Sequence, residues 1–553
     1  MQTINFRIIH TSDIHGCFFP YDFIHRKKAT GSLSRISTYV KEMRRRYGEN
    51  LILLDSGDFM EGQPTCDYDK YFKPQKQNTA IEVANYMRYD CMTIGNHDVE
   101  MGNLIYDDFT KKVSCPVLGA NAVSIKDGES YFTPYHILKR QGIKIAVIGM
   151  VTPTIPYWLG EELWSGMMFT DILKATQELL KNIRENEKPD IIIGLFHSGW
   201  DGGLNAEGTK ENCIKEIAEK LDGLDLILFG HDHIMHCEKL RRANGSEVVC
   251  LNPASDGKSI SVADISINKQ TGEKNISGNI LSVESTTIDN KFIDTFKEEI
   301  KRTKNYSENI IANIPFELRT SDCSFGVSAI NSTIHRIQLD IMKADVSFTA
   351  PLAFDETVGN GEVRFCDIYR LYRYDNSIYM IRMSGKEIKD YLEMSYDLWI
   401  NTMHSPDDHL MKTISYEYDN KKISFFKNLV FNFDTAAGII YSVDVRERKG
   451  NRIKITSMSD GKPFKEENSY HVAMHSYRGN GGNELLTKGA GIKHTELKER
   501  LLSKSEHNIR FYLMEYLRNK PQDTLQQVEN WTFQPESWTK GAIEREKRIL
   551  FNR

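Results

Sequence analysis

Five short polar clusters punctuate the first 233 residues: Asp13 with His15, then Asp58, then Asn96 with His97 and Asp98, then His197, and finally His231 with His233. Carboxylates, imidazoles and one amide oxygen in this mixture are ligands for divalent cations, and there are enough of them for two. In Asp13-x-His15 and His231-x-His233 the spacing of two sends both side chains to the same side of an extended chain. A carboxylate has two oxygens, so Asp58 can bridge cations about 3.5 to 4 Å apart, the separation usual in two-metal phosphoester chemistry. Nitrogen and oxygen donors without thiolate point to Mn, Zn, Fe or Co, and away from calcium or a structural thiolate zinc site. Singly, each cluster reads as a solvated turn or a core histidine. Their recurrence, each where an apolar run ends, identifies a site.

The elements that must position these groups are legible as well. Apolar runs at 6–10, 51–54, 91–94, 191–196 and 226–229 are too short for helices and rich in Ile and Leu, so each reads as a strand with its polar cluster at the exit. In an open parallel sheet the carboxyl ends of strands converge on one rim, where ligands bind. Amphipathic helices are expected over 33–47, 78–87 and 171–186, which makes residues 1–285 an α/β domain. The Lys-rich, breaker-poor stretch from 287 predicts a helical linker over 286–324. From 325 to 530 the pattern is α+β: a helix to Lys343, then strands at 346–349, 377–383, 425–433, 439–445 and 470–475. Residues 531–553 form a tail that is either packed or partly loose.

Composition excludes several classes. With 553 residues the chain has room for two or three domains. Lys and Arg total 71 against 76 Asp and Glu, and the net charge of −5 gives no electrostatic case for a nucleic-acid polymer or an anionic membrane as partner. Apolar runs such as 143–151 fall short of the roughly 20 residues a membrane helix needs. The sequence opens without a secretory pattern, and nine cysteines without a Cys-x-x-Cys pair suit reduced thiols, so a cytoplasmic protein is expected.

These residues carry a resemblance. Asp13-x-His15, Gly57-Asp58, Gly95-Asn96-His97-Asp98, His197 after a strand, and Gly230-His231-x-His233 resemble the motif set of the calcineurin-like metallophosphoesterases. The resemblance implies a four-layer sandwich, two sheets flanked by helices. It assigns Asp13, His15, Asp58 and His233 to one metal, and Asp58, Asn96, His197 and His231 to the other. Two cations lower the pKa of a bridging water and polarise the phosphoryl oxygens as the resulting hydroxide attacks. By the same resemblance His97 is the catalytic imidazole, oriented by a nearby carboxylate, either Asp98 or Glu100.

The second half resembles the substrate-specificity domain of the 5′-nucleotidase and 2′,3′-cyclic-nucleotide phosphodiesterase superfamily. The segments that carry this are Ala344-Asp-Val-Ser-Phe-Thr-Ala-Pro-Leu, Asp367 to Ser377, Phe431-Asn-Phe-Asp, Gly438-Ile, and Ser476-Tyr-Arg-Gly-Asn-Gly-Gly. In that superfamily an aromatic pair sandwiches the base, and the domain rotates to carry substrate to the metals. Phe431 or Phe433 is expected to supply one stacking face and Tyr477 the other, because Leu485 stands where the second aromatic usually does. Asn480, Gly481 and Gly482 are expected to approach the nucleoside. The Ala-Pro segment favours a phosphohydrolase that opens 2′,3′-cyclic nucleotides and dephosphorylates 3′-nucleotides, ahead of a 5′-nucleotidase or UDP-sugar hydrolase. A catalytically silent nucleotide-binding sensor is the alternative of a different class.

Overall fold

The computed structural model describes residues 3–72, 78–206, 208–418, 421–519 and 525–551. It divides into two compact units, Met1–Ser307 and Glu308–Arg553.

In the first unit the short apolar runs become strands of two six-stranded sheets. One has the order Lys274–Ser282, Ser259–Asn268, Thr3–Thr11, Leu51–Asp55, Cys91–Thr93, Val117–Leu118. The other has the order His236–Arg241, Glu247–Asn252, Leu226–Phe229, Ile191–His197, Ile143–Val151, Tyr135–Arg140. Leu51–Asp55, Ile191–His197 and Leu226–Phe229 are buried throughout, as strands covered on both faces must be. The period of two then sorts their side chains. Ile8, Ile52, Leu54, Ile193, Leu195 and Leu228 meet in a core between the sheets. Ile9 and Leu53 face outward onto Ile36 and Val40 of helix Leu33–Tyr47, while Ile192 and Phe229 face Leu180 and Ile183 of helix Ile172–Asn186. The result is the expected helix–sheet–sheet–helix sandwich. Each fully buried Ile or Leu contributes about 1.5 to 3 kcal/mol to holding the layers together.

Pairing of Thr3–Thr11 with Leu51–Asp55, of Leu51–Asp55 with Cys91–Thr93, and of Ile191–His197 with both Ile143–Val151 and Leu226–Phe229 is parallel. Their polar exits therefore lie at one rim in each sheet.

Helices Asn290–Thr295 and Lys297–Ser307 occupy the first part of the stretch expected to be a helical linker. The rest differs: Ile310–Arg319 is a strand, paired antiparallel with Thr357–Arg364. Ile310, Ile311 and Ile314 favour extended backbone. Pro315, which cannot donate to a ladder, falls at the register shift between Ile314 and Glu317.

The second unit is α+β. Its five-stranded sheet runs Thr435–Ala437, Val346–Thr349, Ser469–His475, Ser377–Ser384, Leu501–Asn508, and a three-stranded sheet runs Ile453–Met458, Ile439–Asp444, Trp531–Gln534. Trp531–Gln534 and helix Glu536–Phe551 lie in the stretch set apart as a tail. Trp531, Phe533, Ala542, Leu550 and Phe551 belong to the core of this unit, so the segment is packed. The strand expected over 425–433 ends at Phe426, and Val430–Asn432 forms a single 3₁₀ turn. Among the described residues no helix is long and apolar enough to cross a membrane.

Candidate metal centre

Asp13 follows the strand Thr3–Thr11, Asp58 follows Leu51–Asp55, Asn96 opens helix Asn96–Glu100 after Cys91–Thr93, His197 ends Ile191–His197, and His231 and His233 follow Leu226–Phe229. All seven candidate ligands converge. Ligand atoms of Asp13, His15, Asp58 and His233 lie within 4.8 Å of one another, and so do those of Asp58, His197 and His231. Asp58 belongs to both groups. Asn96 joins the second, its Oδ1 lying 3.0 Å from His197 Nε2.

Tight turns make the convergence possible. Asp13, His15, Asp58, His231 and His233 all have φ between 49° and 80°, a left-handed conformation that L-residues adopt only at a cost of about 1 to 3 kcal/mol. Two glycines let the loops close. A Cβ on Gly95 would run into the Asp58 carboxylate, and one on Gly230 into Asp13 and Ser12.

The donor chemistry fits cations. The His197 Nδ1–H donates to the Ser56 carbonyl at 2.8 Å, so its Nε2 faces Asp58 Oδ2 at 3.1 Å and Asn96 Oδ1 at 3.0 Å. His15 likewise gives its Nδ1–H to the Glu61 carbonyl at 3.1 Å, and its Nε2 lies 3.0 Å from His233 Nε2. Lone pairs aimed at lone pairs require positive charge among them. Electrostatics give the same answer. Burial alone would lower the basicity of His197, yet the Asp58 and Asp13 charges raise its pKa to about 9. Burial would also raise the Asp58 carboxyl, but the neighbouring imidazoles, His197 first, hold it well below its ordinary value.

His97 stands at the edge. Its backbone N–H donates to Asp58 Oδ1 at 2.8 Å and its ring lies edge-on to His15 at 5.4 Å. Its Nδ1 meets Glu100 Oε2 at 2.6 Å and lies 3.5 Å from Glu61 Oε2. Burial opposes the charged ring, but Asp58, Glu61 and Glu100 together raise its pKa well above the ordinary value. Asp98 is not the partner of His97. Its two oxygens accept backbone N–H groups from Asp58, Phe59, Met60 and Gly95, because the first turn of the short helix points it back into the Asp58 loop. Asp98 clamps that loop.

Sequence reasoning missed Glu61 and Glu211. Glu61 lies three residues after Asp58, before Gly62, and that spacing was its only signal. Glu211 lies in a loop; its Oε1 is 3.0 Å from His231 Nε2, and no motif marks it.

Residues 6–235 match the calcineurin-like phosphoesterase family, and residues 300–488 match the 5′-nucleotidase C-terminal domain. The chain carries a calcineurin-like phosphoesterase domain followed by a 5′-nucleotidase C-terminal domain. The chain is 25% identical over 607 aligned positions to the trifunctional nucleotide phosphoesterase protein YfkN of Bacillus subtilis, an alignment covering 98% of this chain and 40% of that protein's length. It is 24% identical to the 2′,3′-cyclic-nucleotide 2′-phosphodiesterase/3′-nucleotidase of Haemophilus influenzae, over 89% of this chain and 82% of that one. A crystal structure of a candidate 5′-nucleotidase from Staphylococcus aureus shares the fold with a TM-score of 0.77 at 21% identity, covering 96% of this chain and 100% of that one.

In the C-terminal domain the expected stacking residues separate. Phe433 is fully buried, stacked on Trp399 at 5.1 Å and 5°. It is a core residue, because the 3₁₀ turn replaces the strand alternation that would have sent one Phe outward. Phe431 is half-buried, edge-on to Tyr374 at 6.3 Å. Tyr477 lies near-parallel to His475 at 6.0 Å and packs against Gly482. Asn480 caps the short helix Ser476–Gly479, and Gly481 has a φ of 99°. Leu485 is buried. Beneath them the fully buried Arg478 donates to both oxygens of Asp434, to Gly482 O at 2.7 Å and to Phe431 O at 2.8 Å, tying the two loops together.

Proposed function

We propose that the chain is a two-metal phosphohydrolase that opens 2′,3′-cyclic nucleotides and then dephosphorylates 3′-nucleotides. The observation that carries the reaction class is the Asp58 carboxylate shared by two clusters of candidate ligands, with His97 held beside it. Asp13, His15, Asp58 and His233 would hold one divalent cation, and Asp58, Asn96, His197 and His231 the other, with Mn, Zn, Fe or Co suited to these donors. When bound, the pair supplies the positive charge that polarises phosphoryl oxygens and makes water acidic enough to attack near neutral pH.

The chain's own groups do the rest. Glu100 accepts a hydrogen bond from the Nδ1–H of His97, so Nε2–H is the group available to the substrate. Held protonated, His97 gives its Nε2 proton to the 2′-oxygen as the P–O2′ bond breaks and water becomes the new phosphate oxygen. The same donor serves the ester oxygen of a 3′-nucleotide. In the C-terminal domain Phe431 offers a base-stacking face, and stacking of this kind contributes about 1 to 3 kcal/mol. Assignment to the cyclic-nucleotide branch rests on the Ala350-Pro351 segment and on the relative from Haemophilus influenzae, which aligns over 89% of this chain.

Hydrolysis of bis-p-nitrophenyl phosphate tests the reaction class. Protein reconstituted with manganese is expected to turn it over, and Asp58→Asn to abolish turnover. An inactive wild type with two cations bound would instead support a silent nucleotide-binding sensor.

A further inference from the structure

Among the histidines of the metal centre His231 is oriented in reverse. His15 and His197 each spend Nδ1–H on a backbone carbonyl, Glu61 O at 3.1 Å and Ser56 O at 2.8 Å, and turn Nε2 inward. His231 instead presents Nε2 to the Oε1 of Glu211 at 3.0 Å. A carboxylate only accepts, so the proton sits on Nε2 and the free lone pair is on Nδ1. The ring cannot turn over to exchange the two. Trp158 stacks on it at 5.6 Å and 24°, and the His197 ring stands edge-on to it at 5.1 Å.

Glu211 is itself fixed. Its other oxygen, Oε2, accepts the Leu204 N–H at 2.5 Å, and its backbone N–H donates to Leu204 O at 2.9 Å. Its carbonyl accepts Thr152 Oγ1 at 3.2 Å and Ser198 Oγ at 2.8 Å, the latter belonging to the residue after His197. Glu211 is thus tied to Leu204, Thr152 and Ser198, and its Oε1 meets one metal-site imidazole. Of these three histidines, His231 is the one with a carboxylate oxygen at hydrogen-bond distance behind its ring; the Glu61 carboxylate stands 3.9 Å from His15 Nδ1.

We propose that Glu211 is a positioning residue for the second cation, holding His231 in the Nε2–H form so that Nδ1 is the ligand atom, and strengthening that nitrogen as a donor. The inference rests on the two-metal reading and deepens it. A carboxylate behind a ligating imidazole fixes its orientation and raises its basicity, and its loss typically costs 10- to 100-fold in metal affinity or activity. The effect belongs to one cation of the pair: the ligand set Asp13, His15, Asp58 and His233 has no contact with Glu211 among those described here.

The test is calorimetric titration of the metal-stripped full chain with Mn²⁺, read beside the spin-coupled dimanganese resonance signal. Wild type is expected to bind two ions. Glu211→Ala is expected to keep the first affinity and lose 10- to 100-fold at the second, with the coupled signal falling at limiting metal. Glu211→Gln, which keeps an acceptor but not the charge, should lose less. The unchanged first site reports that the fold is intact. Two outcomes overturn the proposal: Glu211→Ala binding both ions as wild type does, or losing equally at both sites, which is a structural role only. A wild type that binds fewer than two ions overturns the two-metal reading itself and the proposal with it.

Discussion

At the level of single residues, His97 and His233 show how differently two histidines of one site are constrained. His97 is held by Glu100 at 2.6 Å with Glu61 behind it at 3.5 Å, and it lies outside both ligand groups. His97→Ala is therefore expected to lower kcat by ~10²- to 10⁴-fold while two cations still bind; loss of metal along with activity would place His97 among the ligands. Glu100→Gln should cost more than Asp98→Asn in kcat, because Asp98 accepts only backbone N–H groups. His233 has a φ of 57° and a side chain 41% exposed, so it is strained and lightly packed. Replacing it with glycine relieves the strain and removes the imidazole facing His15 Nε2. His233→Gly is expected to lose the stabilisation that added Mn²⁺ gives the wild type, because it removes a ligand imidazole that also pairs with Asp13. An undiminished effect of Mn²⁺ in denaturant melts would contradict this ligand assignment.

At the level of elements, legibility depended on where a group sits. The ligands were legible because each ends an apolar run, and parallel pairing brings such ends to one rim whatever their separation in sequence. Glu61 and Glu211 were not, because loop side chains reach the site by turn geometry that leaves no periodicity. The sequence could not choose between Phe431 and Phe433, because one 3₁₀ turn, Val430–Asn432, cancels the alternation of a strand. Asp98 against Glu100 could be decided only by the direction of a five-residue helix. Helix Ala329–Met342 holds another feature no motif marks. His335 is buried, its Nδ1 2.9 Å from Ser347 Oγ and its Nε2 3.1 Å from Thr435 Oγ1, and burial pushes its pKa down to about 3. An unfolded histidine titrates near 6.5. Between those values the unfolded chain binds the extra proton, so the contribution of this group is fully present above about pH 6.5 and is lost as pH falls toward 3, at about 1.4 kcal/mol per pH unit. Denaturant melts between pH 7 and 5 should show this loss in wild type and less of it in His335→Gln. Parallel pH profiles would count against a neutral buried His335.

At the level of the whole molecule, the chain carries a net charge of −5 and gathers carboxylates and imidazoles at one rim. Bound cations would add to the positive charge that the imidazoles supply there. Because cations bind the folded site and not the dispersed ligands, free Mn²⁺ at 100 times Kd should stabilise the first unit by about 2.7 kcal/mol, read as an upward shift of one melting transition that a chelator reverses. The central claim, cyclic-bond opening followed by phosphate release, is tested most directly by a ³¹P NMR time course of the manganese-loaded chain with 2′,3′-cyclic AMP, 3′-AMP and 5′-AMP in one tube. The cyclic resonance is expected to give way to 3′-AMP and then to inorganic phosphate while 5′-AMP persists. Consumption of 5′-AMP with the cyclic nucleotide left intact would contradict the account.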